Sequence, residues 1–152
     1  MKHLLQLAPG IMVERAVPGE DVQRLQQVNG ILPRLAGPLA PLFAAAARGD
    51  LAGASCPLSD RPWVGVVLAS RGYPDSAESG LGITGIAAAE ATGAAVRHAG
   101  TSLRDGQLVT AGGRVLTVIA DGTDFAEAIE RAYAGVRAIQ FDGMQYRSDI
   151  GQ

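Results

Sequence analysis

Between residues 114 and 120 the chain reads Arg-Val-Leu-Thr-Val-Ile-Ala, an apolar run of strand length with no wet face. Such a strand belongs in the middle of a sheet, and something must cover it. The next stretch supplies the cover. Glu127 stands three residues after Asp124, the spacing of a capping box. Phe125, Ile129, Ala132, Tyr133, Val136 and Ile139 follow at steps of three or four, which predicts one apolar stripe on a helix of about four turns. Glu127 and Arg131 add an i,i+4 pair on its wet side.

Immediately upstream, Asp105-Gly106 lies between Leu103 and Leu108. Asp-Gly readily takes the two positive φ angles of a type I′ turn, so a hairpin is predicted there. Residues 63–70, Trp-Val-Gly-Val-Val-Leu-Ala-Ser, form another apolar strand-length run, and residues 71–82 read as a loop from their Gly, Pro, Ser and Asp content. A small-residue segment around 83–92 has alanine helix propensity, and 94–100 reads as a short strand. Leu39, Leu42, Phe43 and Ala46 are spaced as a helix, with Gly49 as its stop. Within the first 30 residues, 11–13 suggest a short strand, 17–21 a turn and 20–28 a turn or two of polar helix. The polar tail 141–151 is expected to pack Phe141, Met144 and Tyr146 onto helix and sheet, with Arg147 and Asp149 as an ion pair. Strands joined by tight turns and followed by one long helix imply an α+β fold, a small antiparallel sheet covered by that helix.

Composition narrows the function classes. The 152 residues carry a formal charge of −2, so there is no basic field to attract nucleic acid or anionic lipid. Cys56 is the only cysteine, which excludes an intrachain disulfide and a thiolate metal cluster and suits a reducing compartment. Gln6, Pro9 and Gly10 break the apolar start too early for a signal peptide, and no run approaches the roughly 20 residues of a membrane span. The cytoplasm is the expected location, with neither nucleic acid nor membrane as partner.

Five blocks then stand in one order: 64–74 (VGVVLASRGYP), 97–101 (RHAGT), 105–122 (DGQLVTAGGRVLTVIADG), 132–139 (AYAGVRAI) and 141–151 (FDGMQYRSDIG). Their order and spacing resemble the C-terminal domain of the phosphoribosylamine–glycine ligase family, also called glycinamide ribonucleotide synthetase. The likeness runs over about residues 31–151, with Leu32-Pro33-Arg34-Leu35 similar to the segment that joins this domain to the catalytic one. The resemblance implies a fold similar to the C-terminal domain of biotin carboxylase, of barrel-sandwich or rudiment hybrid type. It divides the chain into a divergent segment, 1–30, remnant of an ATP-grasp end, and a synthetase C-terminal-like domain, 31–152.

Family members activate the carboxylate of glycine as an acyl phosphate with ATP and Mg²⁺, and the amine of phosphoribosylamine attacks it. That machinery belongs to the ATP-grasp domains that precede the C-terminal one. In this sequence Glu14 and residues 19–23 only faintly echo the family's metal-binding strand, and Ala16 stands where its Asn would be. Lys2 is the sole lysine. No catalytic residue and no metal ligand is therefore expected here, nor any cofactor on this chain alone; ATP and Mg²⁺ are expected of the complete enzyme. The implied partners are an ATP-grasp fragment or a second copy of the chain, with a phosphorylated small molecule as substrate. The other reading is a non-catalytic binding or dimerisation module, or a truncated remnant, that kept the fold.

Candidate substrate-binding residues follow from the matched loops: Gly72, Tyr73 and Pro74; Gly100 and Thr101; Gly112, Gly113 and Arg114. Glycines let backbone N–H groups approach an anion, and an arginine fork matches phosphate. The alternative for the last group is a bulge, with Arg114 paired to Asp121 or Asp149. Ser79 stands where the family's loop often carries a lysine, which leaves that loop a purely structural turn as its other reading. His98 has the type of a general base but no partner carboxylate fixed by sequence, so a neutral, hydrogen-bonded ring is expected.

Overall fold

The computed structural model describes residues 4–8, 11–14 and 32–151. Its elements are β1 (Leu4–Ala8), β2 (Ile11–Glu14), a 3₁₀ turn (Leu32–Arg34), α1 (Leu39–Ala47), β3 (Trp63–Ala69), α2 (Ile86–Ala91), β4 (Ala95–His98), β5 (Thr101–Arg104), β6 (Gln107–Thr110), β7 (Arg114–Asp121) and α3 (Phe125–Ala138). The main sheet has the order β1-β2-β3-β7-β4, and β5 and β6 form a separate two-stranded ribbon. β7 runs antiparallel to both its neighbours, and every residue from 115 to 120 is buried. The apolar run thus lies in the interior of the sheet, between β3 and β4.

Helix α3 lies across β7 and β3. It begins where Asp124 accepts a hydrogen bond from the Glu127 N–H at 2.8 Å. The Glu127 carboxylate reaches one residue further back than an ordinary capping box and accepts from the N–H and hydroxyl of Thr123 at 2.6 and 2.7 Å. Glu127 also pairs with Arg131, as the spacing predicts, and Arg131 continues to Asp121 at 3.2 Å. Asp121 in turn holds Arg61 at 2.6 Å, so four charges strap the entry to β3 onto the start of the helix.

The apolar stripe needs one correction. Ala132 and Val136 are buried and Ile129 and Tyr133 half-buried, but Phe125 sits at the rim, 36% exposed. The deepest face of α3 is made of smaller residues, Ala128, Ala132, Gly135 and Val136. A Cβ on Gly135 would come within 2.9 Å of both Val118 Cγ1 and Ala94 Cβ. The helix is seated too close for a side chain there.

A second correction concerns the sheet. β2 pairs with β3 in parallel, Ile11 opposite Trp63 and Met12 opposite Val64, so the sheet is mixed rather than wholly antiparallel. Only tightly connected strands are forced to be antiparallel, and the chain between Glu14 and Trp63 is long enough for a crossover. The strand expected at 11–13 is β2, whereas β1 was not foreseen, because Leu-Leu-Gln-Leu-Ala has no clean alternation. The turn at 17–21 and the polar helix at 20–28 lie outside the described residues.

Other expectations hold. Asp105 and Gly106 have φ of 51° and 79°, and Leu103 faces Leu108 across the β5–β6 ribbon. Helix α1 ends at Gly49, where the Gly49 and Asp50 N–H groups reach back to Ala46 and Ala45 carbonyls at 3.0 and 3.1 Å. In the tail, Phe141 is buried, Met144 packs on the core, and Tyr146 is 41% exposed with its ring tilted against Tyr133. Arg147 grips Asp149 through two hydrogen bonds of 2.9 and 2.8 Å. The Tyr133 hydroxyl donates to the Arg147 carbonyl at 2.8 Å and accepts from the Ile150 N–H at 3.0 Å. Strand β4, only four residues long, has β7 on one side and, among the described residues, no strand on the other, and its Arg97 and His98 are exposed.

Two outcomes are expected. Gly135→Val should push α3 off the sheet at a cost of about 2 kcal/mol, read as a lowered thermal midpoint; an unchanged midpoint would mean that the helix has room to move. Hydrogen bonds from Thr123, its N–H first, then the Arg131 and Arg61 charges, hold the Glu127 carboxyl below its ordinary 4.5. A depressed folded-state pKa gives stability that is present above the unfolded value and lost as pH falls through the folded one. Glu127→Gln should therefore lower the thermal midpoint at pH 7 and leave a smaller drop on acidification below pH 4.5 than the parent shows.

Candidate functional site

The three groups of candidate residues, far apart in sequence, meet at one corner of the sheet, where β3 ends and β7 begins. A bulge makes the corner. Leu68 faces Leu116 and Ala69 faces Arg114, so Val115 is an extra residue in β7. The turn after β4 lies against the residues before β7: the Gly100 N–H donates to the Arg114 carbonyl at 2.7 Å, and the Ala111 N–H donates to the Gly100 carbonyl at 2.8 Å. A Cβ on Gly100 would sit 2.6 Å from the Arg114 carbonyl oxygen and 3.0 Å from the Gly112 Cα, so these two backbones touch only because residue 100 is bare. Above Gly113 lies the ring of Tyr73, in the space that a Cβ on Gly113 would take. Pro74, joined to Tyr73 by a cis peptide, is exposed on the loop.

Donors at this corner divide into spent and unspent. The Thr101 N–H donates to the Ala99 carbonyl at 3.0 Å, and the Thr101 hydroxyl pairs with His98 Nδ1 at 3.1 Å. The N–H groups of Gly100 and Thr101 are therefore spent inside the corner, which they help to shape. His98 is the hydrogen-bonded ring that was expected. Gly112 and Gly113 differ. Their carbonyls accept from Ser70, yet within the described residues neither N–H has an acceptor. Arg114 is half-buried and among the described residues has no ion-pair partner; Asp121 is taken by Arg61 and Arg131, and Asp149 by Arg147. Three consecutive residues thus carry donors with no internal use. A backbone pair and a guanidinium fork of this kind suit a phosphate or carboxylate oxygen.

Two buried hydroxyls that the sequence did not single out hold the corner in shape. Ser70, wholly buried at the end of β3, donates its N–H to the Gly113 carbonyl and its hydroxyl to the Gly112 carbonyl, both at 2.8 Å. Thr110, 1% exposed at the end of β6, accepts the Leu81 N–H on Oγ1 at 3.1 Å and donates the same hydroxyl to the Glu78 carbonyl at 3.2 Å. The only hint in the sequence is a hydroxyl at the end of each apolar run. Arg71, on the loop between, is occupied on the surface by Glu78 and Asp142 at 3.7 and 3.4 Å.

Among the described residues no three His, Cys, Asp or Glu side chains gather into a set that could hold a metal ion. Residues 19–23 lie outside the described residues, and of Glu14 only the backbone, in β2, is described. Among the described residues no helix is long and apolar enough to cross a membrane.

A family model described as phosphoribosylglycinamide synthetase, C domain, matches residues 63–152. The phosphoribosylamine–glycine ligase of Nostoc sp. is 50% identical over 127 residues, covering 80% of this chain and 29% of that protein. The trifunctional purine biosynthetic protein adenosine-3 of Gallus gallus is 46% identical over 123 residues, covering 80% of this chain and 12% of that protein. The crystal structure of the phosphoribosylamine–glycine ligase from Thermotoga maritima superposes with a TM-score of 0.54 at 36% identity, covering 70% of this chain and 27% of that one. The chain thus spans less than a third of the length of these relatives.

The contact between Gly113 and Tyr73 can be isolated. Gly113→Ala should cost about 1–3 kcal/mol by displacing the Tyr73 ring, and Tyr73→Ala should remove most of that penalty when combined with it. Additive losses in denaturant midpoints across the four proteins of the cycle would mean that the ring does not rest on Gly113.

Proposed function

Because the chain belongs to the phosphoribosylglycinamide synthetase C-domain family, we propose that it supplies one wall of a phosphoribosylamine–glycine ligase site, an ATP-grasp part on another segment or chain supplying the rest. We read its sheet and covering helix as the barrel-sandwich type shared with biotin carboxylase. The observation that carries the functional reading is the run of unspent donors at Gly112, Gly113 and Arg114.

The substrate's chemistry fits that corner. Phosphoribosylamine has a phosphate dianion at one end and a nucleophilic amine at the other. Holding the phosphate on two N–H groups and a guanidinium would fix the sugar and leave the amine free to meet an activated glycine carboxylate. Tyr73, lying over Gly113, screens the donors from water and strengthens their pull on the anion. ATP and Mg²⁺ are expectations for the complete enzyme and are assigned to the ATP-grasp part. This chain's share is orientation: it binds, aligns and dries, and it moves no proton.

A second reading, a non-catalytic binding or dimerisation module, draws on Leu32, Phe43, Leu51 and Leu58, which are all between 45% and 64% exposed. One assay separates the two. Glycine-dependent ADP release is measured with phosphoribosylamine generated in place, using this chain alone and then mixed with an ATP-grasp fragment from the same cell. Activity only on mixing, with KM for phosphoribosylamine raised about tenfold or more by Arg114→Ala, is the expected result. Silence in the mixture favours the module, and turnover by the chain alone would overturn the assignment of ATP to another part.

A further inference from the structure

The loop between β3 and the start of α2 is fastened to one short segment, 110–114, at both of its ends. At its beginning Ser70 bonds the carbonyls of Gly112 and Gly113. At its far end Thr110 makes four bonds: its hydroxyl serves Leu81 and Glu78, its N–H donates to the Leu81 carbonyl at 2.9 Å, and its carbonyl accepts the Gly80 N–H at 2.7 Å. Between the two fastenings Tyr73 lies on Gly113. The residues from 74 to 79 are exposed, so little burial holds this loop down. Its placement therefore leans on these two fastenings, whose hydroxyls are themselves shut off from water, where an unmet partner is expensive.

We propose that Ser70 and Thr110 are positioning residues for the anion corner, a two-point clamp that keeps the Tyr73 loop closed over Gly112, Gly113 and Arg114. The clamp deepens the functional reading above and rests on it only for the identity of the anion. Ser70 acts on the donors directly. Bonding both glycine carbonyls fixes two peptide planes: the first carries the unspent N–H of Gly113, since each carbonyl shares its plane with the next N–H, and the second leads into Arg114. Thr110 acts from the other side by preventing the loop from lifting. Neither residue touches the substrate.

The test uses the whole chain, with ribose 5-phosphate as probe and amide hydrogen exchange as a readout that needs no ligand. Thr110→Val keeps the shape and removes the hydroxyl; the Leu81 amide should then exchange about tenfold faster or more, while Val66 and Val118 amides in the sheet stay unchanged. The same variant should weaken ribose 5-phosphate about tenfold, and Thr110→Ser should restore both quantities. Ser70→Ala should weaken the probe equally and speed exchange at the Ser70 amide. Unchanged Leu81 exchange in Thr110→Val, or failure of Thr110→Ser to rescue it, overturns the clamp. If the parent chain takes up no ribose 5-phosphate, the functional reading falls and the exchange rates alone decide the clamp. If Thr110→Val does not fold, Ser70→Ala decides it by the Ser70 amide and probe affinity: losses support the clamp, and parent-like values sink it.

Discussion

Ala128, Ala132 and Gly135 let α3 lie close against the side chains of the sheet, and most of what the domain does follows from that closeness. With aromatics at 5% of the chain, the core cannot be filled by large rings, and it closes by bringing its layers together instead. Val118 and Ala94 are pressed against the glycine of the helix, and β7 is pinned between β3 and β4 beneath it. A strand so immobilised makes a firm platform. Its first residue is Arg114, so the cation of the candidate site grows directly out of a strand buried along almost its whole length.

Glycine does different work in the core and at the corner. On α3 it removes a side chain so that apolar surfaces can meet. At residues 100, 112 and 113 it lets two stretches of backbone and one tyrosine ring approach each other, and that approach decides which polar groups are consumed internally. The outcome is selective: the N–H groups of residues 100 and 101 are used up in building the corner, while those of 112 and 113 are left over. Polar groups placed near a cleft without an internal partner are more informative than the glycines themselves, because leaving them unmet costs free energy that a ligand can recover.

Local chemistry was legible in the sequence wherever it was strong. Asp105-Gly106 dictated its turn, Asp124 and Glu127 marked the start of α3, and the run from 115 to 120 announced a buried strand. Periodicity misjudged the helix face because it gives weight to large residues: it promoted Phe125, which lies at the rim, and overlooked Ala128 and Gly135, whose value is their smallness. The parallel β2–β3 pairing joins segments far apart in the chain and leaves no local trace. At the site, the matched blocks named the right loops but not their roles. That Arg114 is unpaired, and that Ser70 and Thr110 carry the loop, depends on contacts across tens of residues that no spacing rule encodes.

Among the described residues, strand β4 ends the sheet with a row of backbone groups that no neighbouring strand uses, an invitation for a foreign strand to dock there. Its brevity and the exposed Arg97 at its end discourage this, since an intruding strand would have to lie against a guanidinium, and the margin of the sheet is thereby guarded against fibril-like stacking.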